Sequence, residues 1–175
     1  MDMRSERLRL SPMADGDLDH VYAGLSHPDV VRHYGVRYSS RDATREQLAW
    51  YAAIVRDGTG IWWSIRSLAN GAFLGAIGLD HIVQRHRRGE IGFWLLPAHW
   101  GQGYVSEALP LVIDHAFRAR GLHRLMAEVE TDNAASARVL SRAGFVHEGT
   151  LRECELKDGR LVSLDIFALL SSDPR

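Results

Sequence analysis

Residues 97–106 read PAHWGQGYVS, and an apolar-periodic stretch, EALPLVIDHAFRAR, follows at once. Gly101 and Gly103 stand between a strand-like run and a helix, a spacing suited to an anion. A helix N-terminus offers unpaired N–H groups and a partial positive charge, and a phosphate answers both. Glycine removes the side chain where backbone must approach the ligand and permits positive φ. Gln102 and Ser106 stand where their side chains would add hydrogen bonds, although the same glycines also suit a tight turn that binds nothing. Further on, Asn133 and Ser136 in NAAS are three residues apart, so one helix face carries both. Glu128 and Glu130 share a strand face by their spacing of two, where they would attract a cationic substrate.

Several other chemistries lack their residues. A P-loop needs Gly-Lys-Ser/Thr, which is absent. A dinucleotide-binding turn needs a third glycine where Ser106 stands. Glu128 or Glu130 follows at a suitable distance, but the preceding strands read as antiparallel, not as parallel βαβ units. The one cysteine, Cys154, excludes an intramolecular disulfide and has no identifiable base to activate it. The nine histidines form no His-x-x-x-His pair within one predicted helix, so no metal site is expected.

Periodicity supplies the elements that must hold these groups. RLRLSP alternates as a strand and stops at Pro12. Leu18, Val21, Tyr22 and Leu25 fall at helical spacing, with Pro28 just beyond. A second helix spans SRDATREQLAWYAAIVRDG and closes at Gly58. GIWWSIRSL and AFLGAIGLDHIV flank Asn70-Gly71, a hairpin signal, and GEIGFWLL follows the basic turn Arg85 to Arg88. Short turns between strands imply an antiparallel meander. YVSEALPLVIDHAFRARG is a helix in which Pro110 predicts a kink, and RLMAEVE completes a βαβ unit. TDNAASARVLSRAG is a helix capped by Asp132 or Asn133, and FVHEGTLRECEL and RLVSLDIFALL close the chain around KDG.

The fold class is therefore α+β, with about seven strands in a mixed, mostly antiparallel sheet and about four helices. At 175 residues, 46% hydrophobic and 25% charged, residues 1–175 are expected to form one domain. A net charge of -1 gives no global pull toward nucleic acid or an anionic membrane. MDMRSERLRLSP lacks an apolar signal core, and no run approaches the roughly 20 apolar residues of a membrane span. The expected location is cytoplasmic.

EIGFWLLPAHWGQGYVSEAL, followed by ETDNAASARVLSRAGFVHEG, resembles the GNAT N-acetyltransferases. Within them it is similar to the RimJ/RimL branch, which acetylates the N-termini of ribosomal proteins. The likeness extends from SERLRLSP to DIFALL. It implies acetyl-CoA as cosubstrate, with the pyrophosphate on the Gly101–Gly103 loop and cofactor contacts from Trp100, Gly101, Gln102, Gly103, Tyr104, Val105 and Ser106. The pantetheine would lie between two splayed parallel strands, GEIGFWLL and RLMAEVE. The superfamily's loop reads Gln/Arg-x-x-Gly-x-Gly/Ala; Trp100 and Val105 hold its outer positions here, and Val105 brings a β-branch where the family has little bulk.

The resemblance also implies roles in the reaction. Backbone N–H groups of Trp94, Leu95 and Leu96 would meet the acetyl oxygen. Glu90, four residues before Trp94, is the first candidate base and Glu148 the second; alternatively Glu90 pairs with Arg87 or Arg88. Many members donate a proton to the thiolate from a tyrosine where this chain has Leu140, so Ser136 takes that role. Asn133 is either a ligand or a helix cap. The implied reaction is direct transfer to a primary amine, first the α-amine of a protein or peptide. A polyamine or aminoglycoside acceptor and a non-catalytic acyl-CoA sensor stay open. The acceptor pocket falls around HPDVVRHYGVRYSSR, and homodimers are common in the branch.

Overall fold

The strands of the computed structural model, which describes residues 2–174, are β1 (Met3–Arg4), β2 (Leu8–Pro12), β3 (Ile61–Ser67), β4 (Phe73–Val83), β5 (Arg88–Leu95), β6 (Arg124–Glu130), β7 (Val146–Lys157) and β8 (Arg160–Leu170). They form one sheet in the order β1-β2-β3-β4-β5-β6-β8-β7. The helices are α1 (Leu18–Leu25), α2 (Pro28–Val31), α3 (Arg41–Arg56), α4 (Tyr104–Asp114) and α5 (Ala134–Arg142). Strand alternation sends neighbouring side chains to opposite faces. Trp63 and Ile91 join the core under α4 and α5, while Trp62 and Trp94 join a second core under α1 and α3.

Among the described residues there are thus eight strands and five helices, against about seven and four expected. The additions are β1, with two residues, and α2, with a single turn, both too short to show a period. Pro28 ends one helix and begins the next: it stands first in α2, and the His27 side chain caps that turn by accepting from the Asp29 N–H. The kink expected at Pro110 does not break α4. Pro110 lies on the exposed side of the helix, and the irregularity comes one turn later as a π turn, His115–Ala119. No helix among the described residues is long and apolar enough to cross a membrane.

One feature of the sheet positions the site. β5 and β6 are parallel and pair through only three rungs, Arg88 with Arg124, Gly89 with Leu125 and Glu90 with Met126. Beyond Glu90 both strands continue without pairing. β5 follows β4 up to Leu95, and β6 follows β8 up to Glu130. Each is held by its antiparallel partner, so the pair opens into a V.

Candidate active site

A cavity of about 640 Å3 lies along the β5 arm of this V and reaches helices on both sides. Phe93, Trp94 and Leu95 line it from β5. The glycine loop and the first turn of α4 line one end, through Trp100, Gly101, Gly103, Tyr104, Val105 and Ser106. The start of α5 adds Asn133 and Ser136, and the α2 segment adds Asp29, His33 and Tyr34. Most of the residues expected at a cofactor site therefore line one cavity.

The loop is fixed by contacts made away from the cavity. Gly101 and Gly103 sit at φ of 72° and 79°, the left-handed region that glycine enters without strain. Arg7 straps the turn: its Nε donates to Glu107 Oε2 at 2.6 Å, its Nη1 donates to the Gln102 carbonyl at 3.2 Å, and its guanidinium lies 4.8 Å from the Tyr104 ring centroid. Ser5 Oγ donates to the other oxygen of Glu107 at 2.6 Å. Burial alone would raise the Glu107 carboxyl, but the hydrogen bonds from Ser5 and Arg7 outweigh it and hold the group below its ordinary value. The clamp therefore stays ionised, and the N–H groups at the start of α4 are aimed without needing a ligand to order them. The Val105 side chain turns into the core, only 9% exposed, so its β-branch leaves the loop's outer side clear.

Three expected cofactor contacts fall elsewhere: the Gln102 side chain and the N–H groups of Leu96 and Trp94. Gln102 is not among the cavity's lining residues; its Nε2 donates to the Ala98 carbonyl at 3.0 Å, inside the turn. The Leu96 N–H is engaged by the Leu74 carbonyl at 2.9 Å. That bond fixes the parity of β5: N–H groups two and four residues earlier also face β4, including that of Trp94. The N–H groups of Phe93 and Leu95 face the V. Of the expected trio only Leu95 keeps its place, and Phe93 joins it. Trp100 Nε1 donates to the Leu95 carbonyl at 2.9 Å, tying the loop to the end of β5.

At the start of α5, Asn133 is a helix cap: its Oδ1 accepts from the Ser136 N–H at 3.2 Å. It also lines the cavity. The cap holds Ser136 in the first turn, with its hydroxyl free of hydrogen bonds among the described residues. Leu140 is fully buried in the core.

At the α2 end, His33 Nδ1 lies 3.4 Å from Glu130 Oε2 and 3.3 Å from Asp132 Oδ1. Lys157, at the tip of the β7–β8 hairpin, donates to the Arg32 carbonyl at 2.5 Å and pairs with Glu130. Asp158 pairs with Arg37 at 3.2 Å. Asp29, Val30, His33 and Tyr34, from the segment around which the acceptor pocket was expected, line this end of the cavity. Glu130, Asp132 and the segment that holds His33 were each singled out in the sequence, but their meeting was not foreseen, because β6, α2 and the hairpin are far apart in sequence.

The two candidate catalytic residues are not in one cavity. Glu90 lines a smaller one, of about 480 Å3, at the closed end of the V with Trp50, Asp80, His81 and Met126. Burial pushes its carboxyl above the usual range; His81 opposes this, and Glu128 and Asp80 add to it. Its partner is His81, not Arg87 or Arg88. His81 Nδ1 lies 3.4 Å from Glu90 Oε2 and 2.7 Å from Asp80 Oδ1, and the Asp80 contact raises the imidazole. A bulge after Asp80 and a left-handed His81 (φ 47°) bring that ring over the strand. Glu148 is taken up by Arg124, whose hydrogen bonds hold its carboxyl below the ordinary range, which is wrong for a base.

The sequence and fold that carry this cavity have close counterparts in known proteins. The family model for the acetyltransferase (GNAT) domain matches residues 7–146. The uncharacterized N-acetyltransferase YoaA of Bacillus subtilis is 33% identical over 169 residues, 96% of each chain. The ribosomal-protein-serine acetyltransferase of Escherichia coli is 33% identical over 95 residues, 54% of this chain and 53% of its own. Among solved structures, the spermidine N-acetyltransferase of Vibrio cholerae, in complex with CoA and spermine, superposes with a TM-score of 0.86 at 22% identity, over 96% of this chain and 98% of its own. With the motifs, the V and these matches in agreement, the chain belongs to the GNAT acetyltransferase family.

Proposed function

We propose that the chain transfers the acetyl group of acetyl-CoA directly to a primary amine, the first choice being the α-amine of a protein or peptide. The observation that carries this reading is the single cavity joining the N-terminus of α4, the V and the start of α5. The pyrophosphate rests on the N–H groups at the head of α4. The pantetheine runs along β5, where the N–H groups of Phe93 and Leu95 are free to meet an amide and then the acetyl oxygen as it gains charge. Ser136 protonates the departing thiolate.

The acceptor amine must lose a proton. At pH 7 this costs about 1.4 kcal/mol for an α-amine with a pKa near 8, and roughly 4 to 5 kcal/mol for a lysine-like amine near 10.4. Glu90 lies four residues from Trp94, roughly 13 Å along a strand, so it receives the proton through water. His81, paired with it and exposed, passes the charge to solvent. A base at that distance suits an α-amine, which asks for little. The partial match to a ribosomal-protein-serine acetyltransferase supports the same choice. Asp29 and Asp132 on the acceptor wall favour a second reading, a small cationic amine. Thiol release with acetyl-CoA across a panel of peptides and polyamines separates the two.

Two substitutions test the roles. In Ser136→Ala, kcat should fall roughly tenfold, because a thiol with a pKa near 8.5 leaves with modest help near neutral pH. CoA affinity should hold, since the N–H that Asn133 caps is retained. Unchanged kcat would remove the serine role. In Glu90→Gln, kcat/KM on a peptide should fall about tenfold at pH 7 and approach the native value near pH 9, where the α-amine is already free. The stability effect has the opposite sign. A carboxyl raised by burial favours folding while it is protonated, and this is lost as pH rises through its folded pKa. Glu90→Gln should therefore melt like the native chain near pH 4 and higher than it at neutral pH. Native activity at pH 7 in this variant would exclude Glu90 as the base.

A further inference from the structure

β5 and β6 part after the rung of Glu90 with Met126. Four residues further on, the two arms carry Trp94 and Glu130, and an even step keeps each on the face of its residue in that rung. This is the face covered by the N-terminal helices, where Trp94 and Val30 of α2 share a core. His33, in the turn after α2, reaches Glu130 there and lines the larger cavity. A carboxylate only accepts, so the nitrogen facing Glu130 and Asp132, Nδ1, is the one that carries the hydrogen. The neutral ring then keeps its lone pair on Nε2. Nε2 has no hydrogen-bond partner among the described residues. Glu130 is held in turn by Lys157 of the β7–β8 hairpin, so two distant segments fix the ring. The other charged groups lining the cavity are Asp29, Asp132, Arg138 and Arg142. An imidazole oriented at one nitrogen and open at the other is equipped to take a proton.

Transfer to an amine has two protons to dispose of. The first leaves the ammonium before attack and is the one routed to Glu90. Attack by the neutral amine sends the carbonyl pair to oxygen and leaves a cationic nitrogen on a tetrahedral carbon. While that nitrogen keeps its second proton it departs as readily as the thiolate, because an α-ammonium at about 8 and a thiol at about 8.5 are closely matched. Once deprotonated it could leave only as an amide anion, so the C–S bond is the one that breaks. Glu90 lies in the other cavity, whereas His33 and Ser136 line the same one.

We propose that His33 Nε2 is the base that takes this second proton from the nitrogen of the tetrahedral intermediate. The oxyanion pair then re-forms the carbonyl, the C–S pair passes to sulfur, Ser136 protonates it, and the proton on His33 returns to the serine through water. This rests on the acetyltransferase reading of the larger cavity. The test is His33→Asn, whose amide nitrogen stands near the place of Nδ1 and keeps the donation to Glu130 while Nε2 is lost. With acetyl-CoA and a peptide acceptor, kcat should fall about a hundredfold at pH 7. The loss should persist at pH 9, because the intermediate must shed its proton however the amine arrived, whereas the loss in Glu90→Gln closes there. Coenzyme A affinity and melting temperature should stay native. Unchanged kcat, a loss that vanishes at pH 9, or a lower melting temperature with weaker coenzyme A binding would overturn the proposal. A native chain that acetylates the peptide while His33→Asn is fully active sinks the role of His33 and spares the transfer reaction. A native chain with no turnover on any amine sinks both.

Discussion

Gly103→Val is expected to weaken coenzyme A binding more than a hundredfold while the chain still folds. Gly103 sits at φ 79°, where a β-branched residue is a steric outlier and a non-glycine residue costs about 1–2 kcal/mol. A Cβ there would meet only Arg7 Nη2, at 3.7 Å, an ordinary contact, so the fold should accommodate it. The two methyl groups, however, would stand where the proposed pyrophosphate approaches the N–H groups of α4. Losing that approach removes charge-assisted hydrogen bonds as well as the benefit of the helix dipole. Gly101→Ala is the milder comparison: a Cβ there has nothing within 4 Å, which leaves only the strain at φ 72°. Calorimetry measures the affinities and thermal melting the fold. Native affinity in Gly103→Val would mean that the pyrophosphate lies elsewhere.

The other large effect is expected at a glycine remote from the loop. In Gly24→Ala the new methyl would lie 2.1 Å from Trp94 Cζ3 and 2.5 Å from Cη2, far inside contact distance. Alanine in a helix gains roughly 0.5–1 kcal/mol over glycine. Overpacking costs about 1–3 kcal/mol, and a clash this deep falls at the upper end, so destabilisation wins. If the chain adapts, Trp94 must shift, and Trp94 lines the V. We therefore expect a lower melting temperature together with a fall in kcat/KM for the amine, at unchanged CoA affinity. Gly16→Ala, with no neighbour within 4 Å, is the control. A native melting temperature in Gly24→Ala would show that the ring moves freely.

Much of this architecture could be read from local pattern. Alternation marked β2 to β8, Asn70-Gly71 marked the β3–β4 hairpin, and helical spacing marked α1, α3, α4 and α5. Gly101 and Gly103 marked the turn before α4, where both adopt the left-handed backbone. The V itself came through family resemblance, since no local period announces where two strands part. Which N–H groups face it depended on the parity of β5 against β4. A shift of one residue exchanges Phe93 and Leu95 for Trp94 and Leu96, and the alternation of side chains does not report that phase. The pairing of His81 with Asp80 and Glu90 needed the bulge in β4, and the meeting of His33 with Glu130 and Asp132 needed three distant segments to fold together. Glu90 and Ser136 looked like partners because each matched a motif; the sheet puts them at different depths of the same opening.

The contact of Lys157 and Asp158 with the segment from Arg32 to Arg37 bears on how substrate preference can be exchanged among relatives. The rim proposed to face an incoming amine is assembled from two pieces of chain separated by more than a hundred residues, one of them a strut for the other. Transplanting residues 27–40 alone would import a wall without its brace. Chimeras that carry both pieces together should inherit the donor's selectivity, and single-segment grafts should lose discrimination without acquiring a new one.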